Sequence, residues 1–407
     1  MRSRSVTGPN RSGPGKRWKP SVSPAAFAAG VTLFCCLASP AFAAEDASVP
    51  AATARSAEEI ANVGLRCSGG AAAPKPLAAD IGPKAVEFET SPFPYRGDIP
   101  GEDKPFLDKV TADRQGHTSP RGSLHWEDES YSDRHTLLYL PKGFDPSRPA
   151  LIVVFFHGNH ARLMRDVYAR QRVPQQLAAA RLNAALVAPQ FALDTADSSA
   201  GRFWEPGIFK QFLAEAARHL AVLYGDPCEQ SKFDAIKVVL VAYSGGYDPA
   251  AYALHVGGAN DRVFGVVLLD ALYGETAKFD KWIGERGSAF FFSAYSGSSR
   301  PENLALQRSL ADRHVDLSPP KPLRLTERSV TFLATDPGIP HNDFMTQAWV
   351  RNPLTTVLSA IEGFRLPKQQ PGSRAESCRA YGSNTRNGCI GRRDFRHVPP
   401  SVEPHRS

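Results

Sequence analysis

The stretch "KVVLVAYSGGYDPAAYAL" (237–254) places a hydroxyl at an abrupt change from strand to helix. An apolar run ends at Ser244, two glycines follow, and an apolar helical pattern resumes. In an open parallel sheet, ligands bind at the carboxyl ends of the strands, so Ser244 is expected to face such a site. The helix that follows directs its positive end at any anion formed there. Ser244 is therefore a candidate nucleophile, and the alternative is an ordinary glycine-rich turn in which Ser244 is a helix N-cap.

The sequence Ala-Tyr-Ser-Gly-Gly at 242–246 resembles the nucleophile elbow of the α/β-hydrolases, with alanine in place of the first glycine. A second apolar run, "LIVVFFHGN", ends in His-Gly-Asn at 157–159, where these enzymes carry an oxyanion loop after their third strand. The resemblance implies that the backbone N–H groups of Asn159 and Gly245 form the oxyanion hole.

The resemblance also implies a base and an acid, in the order serine, acid, histidine. His341, in "TFLATDPGIPHNDFM", follows the last apolar run at the place where the family has its catalytic histidine. Asp270 ends the run "VFGVVLLD", and some lipases of this fold have their acid there. Asp270 is predicted to hold His341 in the productive tautomer. Glu302 and Asp336 are the alternative acids.

The sequence gives little reason to expect a metal or a cofactor. His157 and His160 form an H-x-x-H pair without a third ligand at useful spacing, and His157 is interpreted as a structural histidine that braces its loop. Neither a G-x-G-x-x-G nor a G-x-x-x-x-G-K-[ST] phosphate loop is evident. We therefore expect no metal and no cofactor.

Aromatic residues near the same predicted sheet edge are candidates for a substrate pocket. Trp204 and Tyr273 are the predicted substrate-binding residues, and Phe203 and Trp282 are further candidates. The resemblance of the Ser-Gly-Gly turn to that of secreted lipases, together with the signal-peptide layout of residues 1–43, implies a small-molecule or lipid-like carboxylic ester as substrate. A peptidase or amidase with the same three residues is the first alternative. A catalytically silent hydrolase-like module that binds cell-envelope material is the second.

Short apolar runs alternate with amphipathic stretches over residues 123–366, and this pattern predicts an α/β fold with a mostly parallel central sheet and helices on both faces. Continuous apolar runs indicate strands covered on both faces. Amphipathic stretches between them indicate helices, and the last helix is predicted over 342–364. The predicted strands are "HTLLYLP", "ALIVVFFHG", "AALVAPQ", "IKVVLVAYS", "VFGVVLLD", "SAFFFSAYS" and "SVTFLATD".

The two ends of the chain differ from this central region. Residues 1–43 have the layout of a signal peptide: a basic start, an apolar segment and a cleavage site near Ala43. Residues 44–122 are rich in Ala, Pro and Gly and are predicted to be an irregular extension, and 367–407 a basic, flexible tail. The charge of +7 is concentrated at these ends, so nucleic acid is not an expected partner. We expect a secreted or periplasmic protein without a transmembrane anchor, and the sequence leaves its oligomeric state open.

The number and positions of the cysteines agree with export from the cytoplasm. Two of the six cysteines, Cys35 and Cys36, would be removed with the signal peptide. The other four can form two disulfides in an oxidising compartment, with three connectivities, and a bridge between Cys378 and Cys389 is the simplest. The four are Cys67, Cys228, Cys378 and Cys389.

Overall fold

The protein is represented by a computed structural model that describes residues 75–285, 287–317 and 322–367. The predicted signal peptide, the first part of the extension and the tail after residue 367 lie outside the described residues, as do five of the six cysteines. Cys228 is disulfide-bonded.

The described chain forms one large sheet and one small sheet. The strands are β1 Ile81–Glu87, β2 Lys109–Val110, β3 Gln115–Thr118, β4 Leu124–Trp126, β5 His135–Leu140, β6 Leu151–Phe156, β7 Ala184–Pro189, β8 Lys237–Tyr243, β9 Val263–Leu269, β10 Phe290–Tyr295 and β11 Val330–Ala334. The large sheet has the order β1-β5-β7-β6-β8-β9-β10-β11, and β2, β3 and β4 form a three-stranded antiparallel sheet.

Strand β5 runs antiparallel to its two neighbours, β1 and β7. All other neighbouring strands of the large sheet, from β7 through β6 to β11, pair in parallel. Counted along the chain, the strands of the large sheet lie in the order one, two, four, three, five, six, seven, eight. The sheet is therefore mostly parallel, as predicted, and β8 lies at its centre with Ser244 at its carboxyl end.

Helices cover both faces of the large sheet. The α-helices are α1 Glu127–Ser130, α2 Val173–Ala180, α3 Ile208–Tyr224, α4 Gln230–Ala235, α5 Tyr247–His255, α6 Thr276–Glu285, α7 Arg300–Asp312 and α8 Pro353–Ser359. Shorter turns of 3₁₀-helix lie at Gly201–Trp204, Pro227–Glu229, Ser244–Gly246 and His341–Met345, and a π-helix spans Leu163–Arg170.

The alternation of side chains along a strand divides the core into two layers. In β6, Ile152, Val154 and Phe156 pack in the cluster that contains apolar residues of α3, α5, α6 and α7. Leu151 and Val153 pack in the opposite cluster, with residues of α2 and α8. All of these β6 side chains are fully buried, which explains why the strand is continuously apolar.

Two predicted helices are interrupted in the structure. The helix predicted over 342–364 is a 3₁₀ turn followed by α8, because Pro353 disfavours helical backbone at the preceding residue, and Asn352 adopts φ 55° and ψ 64°. The amphipathic sequence of 163–182 predicts one continuous helix, but the structure divides it into the π-helix and α2 at Arg172, which has φ 55°.

The extension predicted to be irregular contains strands within its described part. Strand β1 pairs with β5 at the edge of the large sheet, and β2 and β3 lie in the small sheet. The sequence "IGPKAVE" of β1 has no continuous apolar run, because an edge strand is only partly covered and its side chains are mostly exposed or half-buried.

Candidate active site

Ser244 occupies a sharp turn between β8 and α5. Its φ is +54°, in the left-handed region that a serine rarely adopts. The turn is tight because α5 approaches β6 closely: a Cβ on Gly246 would lie 2.3 Å from the carbonyl oxygen of Phe156. Glycine is therefore required at 246, and the strained backbone at Ser244 is the kind of outlier that functional sites contain.

The structure brings together the three residues that the sequence singled out. The hydroxyl oxygen of Ser244 lies 2.7 Å from Nε2 of His341, and Nδ1 of His341 lies 2.6 Å from Oδ2 of Asp270. With the proton on Nδ1, the imidazole donates to the carboxylate and accepts from the serine. His341 comes from the turn after β11 and Asp270 directly follows β9, so three loops of the same sheet edge supply the group. The alternative acids, Glu302 and Asp336, are not among the described hydrogen-bond or ion-pair partners of His341.

Asp270 is fully buried, and hydroxyl and amide donors surround it. The serine-rich loop after β10 supplies the backbone N–H of Ser296 at 3.0 Å, the hydroxyl of Ser296 and a short hydrogen bond from Ser299. Burial alone would raise the pKa of Asp270, but hydrogen bonds from His341, Ser299 and Ser296 outweigh it and lower the pKa to about 2. The carboxylate therefore remains ionised at neutral pH.

Two tyrosines fix the imidazole of His341. The ring of Tyr243 stacks on it at 5.1 Å with an interplanar angle of 15°. Tyr273 lies edge-on at 5.9 Å, and its hydroxyl is 3.2 Å from both Asp270 Oδ2 and His341 Nδ1. Tyr273, which the sequence offers as a substrate-binding residue, also lines the cleft. Its hydroxyl, however, is turned toward Asp270 and His341.

The predicted oxyanion donors lie beside Ser244. A Cβ on Gly158 would be 2.6 Å from the Cβ of Ser244, so the loop after β6 touches the serine. The backbone N–H of Asn159 makes no hydrogen bond among the described residues. The amide of Gly245 opens a helical turn, where the first N–H groups have no intrahelical acceptor. Ser198 donates from its hydroxyl to Oδ1 of Asn159 at 3.1 Å and so orients the Asn159 side chain.

His157 braces the loop that carries Asn159. Its Nδ1 donates to the carbonyl of Gly158 at 2.8 Å, and its Nε2 accepts from the backbone N–H of Phe191 at 2.9 Å. Burial lowers the pKa of His157 to about 4, so the ring is neutral at physiological pH. Both ring nitrogens are thus occupied. Among the described residues, no three His, Cys, Asp or Glu side chains are grouped as metal ligands.

A cleft of about 860 Å³ leads to Ser244. Of the four aromatic candidates from the sequence, Trp204 and Tyr273 line this cleft. Phe203 and Trp282 are instead buried in the core, where their rings pack against other apolar side chains.

Several residues of the site were not found from the sequence. The serines around Asp270 form "SGSS" at 296–299, and the only sequence signal was this run of hydroxyls after a predicted strand. Asp248 and Ser198 also line the cleft, but a single aspartate in a helix and a single serine in a loop carry no recognisable pattern.

None of the described helices has both the length and the apolar character needed to cross a bilayer.

No family model matches the sequence, and no curated protein matches it either.

Solved structures resemble the chain at low identity. A feruloyl esterase module from Clostridium thermocellum in complex with sinapinate is 14% identical, with a TM-score of 0.38, over 67% of this chain and 99% of that one. An S-formylglutathione hydrolase from Agrobacterium tumefaciens is 11% identical, with a TM-score of 0.33, over 62% of this chain and 94% of that one. With identities and TM-scores this low, activity and substrate have to be inferred from the side chains of this chain itself.

The strand order, the antiparallel second strand and the strand–serine–helix turn at the centre of the sheet agree with the fold predicted from the sequence. This chain has the α/β-hydrolase fold.

Proposed function

We propose that this protein is a serine hydrolase that cleaves carboxylic esters through an acyl-enzyme intermediate. Ser244 is the nucleophile, His341 the general base and acid, and Asp270 the residue that orients and stabilises the imidazole. The observation that carries the proposal is the continuous hydrogen-bonded chain from Ser244 through His341 to Asp270, at the floor of an open cleft.

The geometry supports the following first half-reaction. Nε2 of His341 takes the proton of Ser244 as the serine oxygen attacks the ester carbonyl carbon. The carbonyl oxygen becomes negative and accepts hydrogen bonds from the amides of Asn159 and Gly245, donors of a kind worth about 3 kcal/mol of barrier each. The tetrahedral intermediate collapses, the bond to the alcohol oxygen breaks, and the imidazolium gives its proton to the departing alcohol.

The second half-reaction uses the same groups. A water molecule replaces the alcohol, and Nε2 of His341 takes one of its protons as its oxygen attacks the acyl-serine. Collapse of the second tetrahedral intermediate returns the proton to the oxygen of Ser244 and releases the carboxylic acid. Asp270 is not protonated at any step, which agrees with its low pKa.

We further propose that the protein acts outside the cytoplasm on a small-molecule or lipid-like ester. The support is the signal-peptide layout of residues 1–43, with cleavage near Ala43. Amino-terminal sequencing of the protein recovered from the periplasm or medium checks this. We expect a chain that begins shortly after residue 43, and an uncleaved cytoplasmic protein would contradict the proposal.

Substrate panels distinguish the ester hydrolase from its two alternatives. Purified protein is assayed with p-nitrophenyl esters of graded acyl length and with the matching p-nitroanilides. We expect turnover of the esters and much slower turnover of the anilides. Preferential cleavage of the anilides would identify an amidase or peptidase. The absence of all turnover, together with no reaction with a fluorophosphonate, would identify a silent module.

A further inference from the structure

The cleft has a polar end that the proposed reaction does not use. It includes Asp248, which lies in the first turn of α5, four residues after Ser244. The indole N–H of Trp204 donates to Oδ2 of Asp248 at 3.2 Å. The other carboxyl oxygen, Oδ1, has no hydrogen-bond partner among the described residues.

Aromatic rings form the walls around this carboxyl group. Trp204, Tyr247 and Tyr252 all line the cleft, and Trp204 meets Tyr252 edge-to-face at 6.2 Å. Tyr247 contacts Tyr273 at 6.3 Å and so connects this end of the cleft to the residues around His341. Walls of this kind suit a flat ring, which can contact the tyrosine and tryptophan faces.

The charges around Asp248 favour a neutral donor over a cation. Lys278 already occupies the face of the Tyr252 ring at 4.3 Å and forms a short ion pair with Glu275, so an incoming cation would compete with it. Burial and the nearby Glu275 raise the pKa of Asp248 to about 7, whereas the Trp204 indole and Lys278 act in the opposite direction and Asp197 adds a smaller increase. A carboxyl group in this state can accept from a hydroxyl whether or not it is ionised.

We propose that Asp248 and Trp204 form a specificity subsite for a hydroxyaryl group, so that the preferred esters carry an aromatic ring with a hydroxyl pointing away from the scissile bond. The substrate hydroxyl donates to Oδ1 of Asp248 while its ring lies between Trp204, Tyr247 and Tyr252. This inference rests on the proposed ester hydrolysis and adds the substrate class to it.

Matched ester pairs test the subsite. Methyl 4-hydroxyphenylacetate is compared with methyl phenylacetate for a ring on the acyl side, and 4-hydroxybenzyl acetate with benzyl acetate for a ring on the alcohol side. In the wild type we expect kcat/KM to be at least about tenfold higher for the hydroxylated member of one pair, since a ring without the hydroxyl would cover Oδ1 of Asp248 and leave it without a donor, which costs about 1–3 kcal/mol. In Asp248→Leu we expect that ratio to fall to near one.

The ratio is taken within each enzyme, so differences in folded fraction cancel. Asp312→Asn, a change at an exposed aspartate at the end of α7, is the matched control and should keep the wild-type ratio. A wild-type ratio near one in both pairs, or a preference that survives in Asp248→Leu, would overturn the subsite while the turnover itself still supported the hydrolase.

Binding provides a readout that does not need turnover. Calorimetry with Ser244→Ala measures the Kd of the same esters, and the hydroxylated member of one pair should bind at least about tenfold more tightly. Equal affinities would contradict the subsite even if the protein hydrolysed nothing. Failure of the proposed reaction is recognised separately, by the absence of hydrolysis of every ester by the wild type.

Discussion

Ser244 and Asp270 share an unusual backbone feature, since both have positive φ, at +54° and +45°. Each directly follows a strand of the large sheet, and the left-handed backbone turns each side chain toward His341. The sequence predicted these residues because each one ends an apolar run. It did not predict the hydroxyls that hold Asp270, because a loop such as "SGSS" is compatible with many structures until the partner strand is known.

Replacement of the nucleophile should remove the proposed activity without unfolding the protein. In Ser244→Ala we expect kcat for p-nitrophenyl acetate to fall by at least about 10⁴-fold, because no oxygen remains to attack the ester. Ser288→Ala, at an exposed serine in the turn before β10, should match the wild type. Circular dichroism verifies that both variants are folded. Turnover by Ser244→Ala within tenfold of wild type would exclude Ser244 as the nucleophile.

Replacement of the acids decides among the three candidates. Asp270→Asn preserves the shape but favours the wrong tautomer of His341, so kcat should fall by about 10²- to 10⁴-fold. Glu302→Gln and Asp336→Asn should be close to wild type, because neither side chain forms a hydrogen bond or ion pair with His341 in the described structure. A large loss of kcat in either of these variants, with none in Asp270→Asn, would show that the acid is Glu302 or Asp336 and not Asp270.

Strands were more predictable than helix boundaries. The seven strands predicted for the large sheet are all present, since strands buried on both faces must be continuously apolar. Edge strand β1 was missed because its side chains alternate between half-buried and exposed without an apolar run. The interruption before α8 was missed because the apolar spacing of 342–364 continues across Asn352, and only the proline that follows it carries a signal.

The close packing of α5 on β6 can be tested at Gly246. A Cβ there would lie 2.3 Å from a backbone oxygen that cannot move independently. Gly246→Ala should therefore lower the free energy of unfolding by about 2 kcal/mol and displace Ser244. Gly297→Ala is the control for stability, since its nearest atom would be 3.6 Å away. Equal melting temperatures for the two variants would show that the turn tolerates a side chain.

The whole described chain behaves as one packed unit in which the amino-terminal segment is attached to the hydrolase fold. Glu215 of α3, almost fully buried, accepts from the backbone N–H of Glu89 at 3.0 Å and of Thr90 at 2.8 Å, just after β1. Burial would raise the pKa of Glu215, but hydrogen bonds from His219, Thr90 and Glu89 outweigh it and lower the pKa to about 2. Composition alone predicted a loose extension here, because a single glutamate in a helix does not reveal which backbone it will bind.

The hydrogen bonds that Glu215 accepts from the segment after β1 predict that the stability of the protein depends on pH. Because the folded pKa of Glu215 is below its usual value near 4.5, its stabilisation is present above about pH 4.5 and is lost as the pH falls toward 2. The shift corresponds to about 3 kcal/mol. Glu215→Gln should therefore be less stable than wild type at pH 7 by up to this amount, and the difference should shrink in acid. Glu285→Gln, at an exposed ion pair, should change little. A pH-independent difference for Glu215→Gln would contradict this explanation.

Covalent labelling with a fluorophosphonate, followed by peptide mass spectrometry, examines the nucleophile and its base together. We predict a single adduct on Ser244 in the wild type, labelling slowed by orders of magnitude in His341→Ala, and none in Ser244→Ala. An adduct on another residue, or a wild-type protein that hydrolyses esters while Ser244 remains unmodified, would contradict the mechanism.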